Sequence, residues 1–242
     1  MNLSGTVLFD AIANFDNEAS IDDTGGISPT GTYEFGGAAG SSFLDLGAVF
    51  SVDFKRHFLT EGFFPSDLFD SRGLIDDITD FDGLTATEVN AEMLVRVTQD
   101  NPSGSPTYSD FQTFANGTYK GRGFQFRAKL TSNDTAQDIK VSQLGYTASL
   151  QRRTEQGNVT ASGAGAKAVT FTDPFFVGTS SLLGANTNLP SVGINAQNMV
   201  SGDYFEVSSI SGTGFTVHFK NSSNASIDRN FTYQAVGFGK GG

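Results

Sequence analysis

The stretch that most constrains the fold of this 242-residue chain is its C-terminal part, from Pro190 on. Four short segments lie there at nearly even spacing: 190–199, 202–207, 214–220 and 230–239. In the third, Phe215, Val217 and Phe219 alternate with Thr216, His218 and Lys220. A period of two puts the aromatic row on one face and the polar row on the other, as a half-buried antiparallel strand requires. Phe231, Tyr233 and Ala235 repeat the pattern in the last segment. Turn residues separate the segments, so the expectation is a small antiparallel sandwich.

Composition extends the all-β reading to the whole chain. Phenylalanine occurs 23 times and glycine 29 times; the first suits pleated, half-buried surfaces and the second tight turns. The length accommodates one large β-domain or two small ones. With no cysteine, disulfides, thiolate metal sites and cysteine nucleophiles are excluded. The net charge of −11 is uneven: residues 1–152 carry 21 acids and 10 bases, residues 153–242 five of each. Phosphate contacts need a basic footprint, so nucleic acid is not an expected partner. Asp10, Asp16 and Glu18 exclude residues 2–20 as a signal-peptide core. No apolar run reaches the roughly 20 residues that span a bilayer as a helix.

Along the chain, residues 1–30 read as an acidic arm or connector. Strand signals begin at Thr32. Residues 43–54 read as a strand, a turn and a second strand, and residues 61–87 as a long surface loop, a type often functional. Met93, Val95 and Val97 share a face. In 124–130 the even-numbered residues face inward, with Gln125, Arg127 and Lys129 outward. The run Asn101-Pro102-Ser103-Gly104-Ser105-Pro106 is a loop. Residues 151–157 are polar and without periodicity, so a domain boundary is placed there. The expected organisation is an arm (1–30), a first β-sandwich (31–152) and a second (153–242).

Two resemblances rest on these segments. Phe171 with Phe175-Phe176, then Pro190-Ser191-Val192, Gly214-Phe215-Thr216-Val217 and the run 231–237, taken in that order, resemble the H-type-lectin-like domain found at the ends of phage tail fibres. That likeness implies a sandwich that associates as a trimer and holds sugars on exposed loops. Upstream, Gly31-Thr32-Tyr33-Glu34-Phe35, Leu44-Asp45-Leu46-Gly47, the run 67–72, Val95-Arg96-Val97-Thr98-Gln99-Asp100-Asn101-Pro102, the run 105–111 and 121–127 look like the C-terminal region of siphophage host-specificity (J-type) central tail-fibre proteins. This implies a jelly-roll or discoidin-like sandwich ahead of the lectin-like one. J-type proteins carry baseplate-hub domains upstream of this region, so the chain reads either as a separate tip protein or as a piece of a longer one.

Candidate chemistry is sparse. Asp76, Asp77, Asp80 and Asp82 offer the oxygen ligands a hard cation takes, and Gly83 allows a turn. Their spacing does not match the twelve-residue calcium loop. A solvated loop is the favoured reading, bound calcium its alternative, and no other cofactor is expected. His57 and His218 are isolated in sequence from any serine–acid pattern, and no carboxylate pair stands out for glycoside chemistry. For sugar binding, an aromatic face beside polar groups is needed. Tyr108, Tyr119 and Tyr204 occupy loop-like polar contexts. Asp203-Tyr204, with Asn198 close by, is the pairing chosen as a ligand site, against Tyr204 simply covering a sandwich edge.

The expectation is therefore a non-enzymatic, adhesive component of a phage virion. It would sit in the distal tail as a homotrimer joined to other tail or baseplate proteins, and bind a host-surface glycan or outer-membrane receptor. The alternatives are a carbohydrate-binding module of a secreted adhesin or enzyme, and a purely structural tail connector.

Overall fold

The computed structural model describes residues 2–3, 31–35, 43–64, 85–134, 136–180 and 182–240. Among them there is no helix; the regular structure is thirteen β-strands, and all of their pairings are antiparallel. The all-β expectation holds. Asp76, Asp77, Asp80 and Asp82, and most of the N-terminal arm, lie outside the described residues.

The first seven strands form one sheet. They are β1 (Asn2–Leu3), β2 (Gly31–Phe35), β3 (Leu44–Phe63), β4 (Val89–Thr98), β5 (Gln112–Thr113), β6 (Gly117–Ser132) and β7 (Asp138–Ser149). Their order is β1-β7-β3-β6-β4-β5, with β2 alongside β6. In place of the expected strand–turn–strand over 43–54 there is one twenty-residue strand. Its first half pairs with β6 and its second with β7. Gly47, at φ +79°, takes up the irregularity between Asp45 and Phe50 as a bulge, and pairing with β6 resumes beyond it. A bulge bends a strand without ending it. Of the surface loop expected over 61–87, residues 61–63 belong to β3 instead, and residues 65–84 lie outside the described residues.

Leu46, Phe50, Val52 and Phe54 of β3, Met93 and Val95 of β4, Phe124 and Phe126 of β6, and Tyr146 and Ala148 of β7 are buried in one cluster. Strands of a single sheet share this core, so the sheet curls around it. Phe54 is central, edge-on to Phe114, Tyr119, Phe124, Phe126 and Tyr146 at 5.0–5.8 Å between centroids. Such pairs add roughly 0.5–1.5 kcal/mol each beyond their buried area.

The outward face of β4 and β6 departs from expectation. Gln125 is 4% exposed, because the segment after β4 folds back as a roof. Arg96 donates from Nε and Nη2 to Gln125 Oε1 (2.8 and 2.6 Å) and lies over the rings of Tyr108 and Phe111. Arg127 lies over the same Phe111 ring at 4.1 Å. Alternation marked this face as solvated; an Arg–aromatic cover hides it.

The remaining strands form two three-stranded sheets: β8 (Arg152–Ala161), β9 (Ala166–Thr170), β10 (Ser191–Gln197), β11 (Tyr204–Ser208), β12 (Gly214–Lys220) and β13 (Asn230–Phe238). One is ordered β10-β13-β8 and the other β11-β12-β9. Phe171, Phe215, Val217 and Phe219 meet Phe231 and Ala235 between them, with Val192, Ile194 and Tyr233 at the margin. Residues 152–157, read as polar and without periodicity, open β8. The alternation was hidden because β8's inward row is polar. Arg153 and Glu155 pair at 3.0 Å, Arg153 stacks on Phe175 at 3.8 Å, and Glu155 Oε1 accepts from the Thr172 amide and the Tyr233 hydroxyl.

The two units share a wall. Phe176 belongs to the first core, edge-on to Phe50 at 6.0 Å, while Phe171 and Phe175 belong to the second. Phe238 also packs against the first core. The Ser51 amide donates to Lys240, and the Gly239 amide to Gln151.

Candidate functional site

The outer face of the β10-β13-β8 sheet carries a groove of about 420 Å³. Register explains which side chains reach it. Ile194 and Tyr233 pack toward the second core, so their neighbours Gly193, Asn195, Thr232 and Gln234 point away from it. Gly193 pairs with Gln234, and Gln234 with Gln156, which makes one cross-strand row; Asn195 opposite Thr232 makes the next. The row on Gly193 has no side chain at its β10 end, which opens the depression. A β-bulge of β8, where the register shifts between Phe231 and Tyr233, bends the neighbouring edge.

The lining residues Gln156, Gly193, Asn195, Thr232 and Gln234 carry no charge, nor do Gly157, Ile194 and Tyr233, which complete the lining. Among the described residues, no protein hydrogen bond holds the side chains of Gln156, Asn195, Thr232 or Gln234. Three carboxamides and a hydroxyl are therefore available as both donors and acceptors. Sequence reasoning missed this site. Its signal was the polar outward row on strands already recognised for their inward rows, and a polar outward row is also what any solvated sheet displays.

The residues chosen from sequence sit elsewhere, at one end of the sandwich. Asn198 follows β10, is exposed and has φ +58°, a backbone state asparagine tolerates. Asp203 is not an open ligand group. Its side chain is 2% exposed, and Oδ2 accepts from Nε (2.8 Å) and Nη2 (2.6 Å) of Arg229 and from the Val200 amide. The Val200 amide, then Arg229, hold its carboxyl below the usual range. It anchors the 198–203 loop. Tyr204 is 38% exposed and donates its hydroxyl to Asn224 Oδ1 at 2.6 Å. The structure thus joins loops 198–203 and 221–226 rather than gathering Asn198, Asp203 and Tyr204 around a cavity.

Of the other tyrosines, Tyr108 lies beneath Arg96 with its hydroxyl buried and unpartnered among the described residues. Burial first, and then Asp45 against the opposing Arg96, leave that phenol above its ordinary value. Tyr119 is packed on Phe54 and Phe114 and bonds Ala115. Both residues are half-buried. His57 bonds Thr147 Oγ1 and His218 bonds Ser226 Oγ, each at 2.8 Å. Glu206 lies opposite His218 in register but ion-pairs with Lys220 at 2.8 Å. Among the described residues, no group of three or more His, Asp or Glu side chains is placed to hold a metal ion.

Comparison with protein-family models, with curated proteins and with solved structures finds no match for this chain.

Proposed function

We propose that the chain is a tail-tip or tail-fibre component of a bacteriophage that recognises the host cell surface as a homotrimer. The observation that carries this reading is the uncharged, carboxamide-lined groove on the outer face of the terminal sandwich. A groove on strands is a preorganised site, and the shared wall around Phe50 and Phe176 gives it a stiff mount. A shallow groove binds weakly by itself. Three of them held on one tip gain avidity without stronger individual contacts. In this reading the chain binds and does not cleave, so no reducing ends are released from host polysaccharide.

The experiment is binding of the purified, labelled protein to candidate host cells, with its mass in solution measured on the same sample. Saturable binding by a trimer, displaced by unlabelled protein, is the expected outcome. A folded trimer that binds no susceptible host supports a structural connector instead, and a monomer overturns the trimeric fibre. The same groove also favours a second reading, a carbohydrate-binding module of a secreted adhesin or enzyme. Binding to isolated polysaccharide without saturable binding to cells would select it.

A further inference from the structure

We infer that the β10-β13-β8 groove takes an uncharged, hydroxyl-rich ligand, a segment of neutral glycan, held by Gln156, Gln234, Asn195 and Thr232 over Gly193. This rests on the adhesive reading above and names its ligand class.

Three observations lead there. The lining holds no lysine, arginine or carboxylate, so neither an acidic sugar nor a cationic peptide would find a compensating charge once desolvated. A carboxamide offers an acceptor oxygen and two N–H donors at fixed spacing, which matches neighbouring hydroxyls that both donate and accept. The groove's volume of about 420 Å³ lies inside the roughly 300–1,000 Å³ range of small-ligand sites.

Gly193 supplies the floor. A Cβ built there meets only the Gln234 carbonyl oxygen, at 3.9 Å, and its φ is not in the left-handed region. The glycine is therefore not required by the fold. Its effect is to let a flat group approach the β10 backbone between the Gln234 and Asn195 side chains. The same property makes it a clean probe, because a larger residue fills the groove without straining the strand.

The test is saturation-transfer NMR and titration calorimetry on the full chain. The probes are maltotetraose and chitotetraose as neutral oligosaccharides, tetragalacturonate as an acidic one, and an uncharged Gln/Asn-rich peptide. The expected result is saturable binding of a neutral oligosaccharide. Gly193→Val should lower that affinity at least tenfold, and Gln234→Ala or Gln156→Ala about threefold to tenfold, as loss of one or two hydrogen bonds implies. Thermal melts of all three variants should match the parent protein. Binding of the acidic sugar alone, of the peptide alone or of no probe overturns the inference, as does neutral-sugar binding that survives Gly193→Val. Adhesion of Gly193→Val to host cells is measured in parallel. If the parent protein adheres saturably to host cells but binds no neutral sugar in the groove, the groove inference fails and the adhesive reading stands. If the parent protein binds neutral sugar in the groove but no host cell, the inference stands and the adhesive reading fails.

Discussion

Arg153 lies against the Phe175 ring, donates from Nε to Gly239 O at 2.8 Å and from Nη2 to Asp173 O, and pairs with Glu155. Burial raises the Glu155 carboxyl, but hydrogen bonds from the Thr172 amide, Arg153 and Tyr233 outweigh it, leaving the group below its ordinary 4.5. The unfolded chain then binds its proton at higher pH than the folded one. The associated stability is complete above about pH 5 and is lost as pH falls through the folded value. Thermal melts from pH 7 to pH 3 should show the parent protein losing stability most steeply below about pH 4.5. Glu155→Gln should start lower at pH 7 and lose less over that interval; equal slopes would refute the linkage. Arg153→Met should cost about 3 kcal/mol in urea unfolding, since it leaves a shielded carboxylate without its partner. At this scale the sequence was only partly legible. It shows Asp203 beside Tyr204 and suggests a ligand pair, yet the partner that turns Asp203 inward, Arg229, stands 26 positions on. Spacing along a strand reports which face a residue takes, not which distant side chain occupies it.

Two glycines line the groove of the β10-β13-β8 sheet, and only one of them is required by the packing. Gly157 on β8 lies beneath Tyr233, and a Cβ there would stand 1.9 Å from the ring's Cε1. Tyr233 is fixed by Glu155 and by Phe215, 5.2 Å away between ring centroids, so the ring has little room to move. Gly157→Ala should therefore destabilise by about 1–3 kcal/mol through overpacking. Gly193→Val, on the open outer face, should change stability by less than about 0.5 kcal/mol. Chemical denaturation of the two variants checks both, and a large loss for Gly193→Val would mean that glycine belongs to the fold. The contrast explains which elements could be read in advance. β12 and β13 were visible because their inward rows are aromatic, against polar outward rows. β8 was not, because an Arg–Glu pair and a glycine stand where apolar residues would mark a strand. The roof over Gln125 was hidden for the converse reason: its aromatic residues, Tyr108 and Phe111, lie in a segment without periodicity.

A boundary drawn at residue 152 leaves open whether the two units are independent in energy, and the shared wall argues that they are not. Phe176 is only 1% exposed, yet the core it fills is built mainly by residues 44–150. Phe238, from the last strand, packs on the same core, and the Phe176 amide bonds the Phe238 carbonyl at 2.8 Å. Neither contact can be inferred from local pattern, since Phe176 stands 126 positions from Phe50 and 62 from Phe238. Truncating Phe176 to alanine would open a cavity against Phe50 and destabilise by about 3–5 kcal/mol. If the wall couples the units, calorimetry of the parent protein shows a single cooperative transition, and Phe176→Ala lowers it as a whole. Two transitions, with only one moved by the substitution, would mean that the units fold separately and merely touch. Under the adhesive function proposed above, the coupled case has a further consequence. A load or contact felt at the groove on β10 and β13 would pass into the first sheet through Phe176 and Phe238 without a hinge between. Phe176→Ala should then weaken attachment under flow more than it weakens binding at rest, a difference that a shear-detachment assay on host cells measures directly.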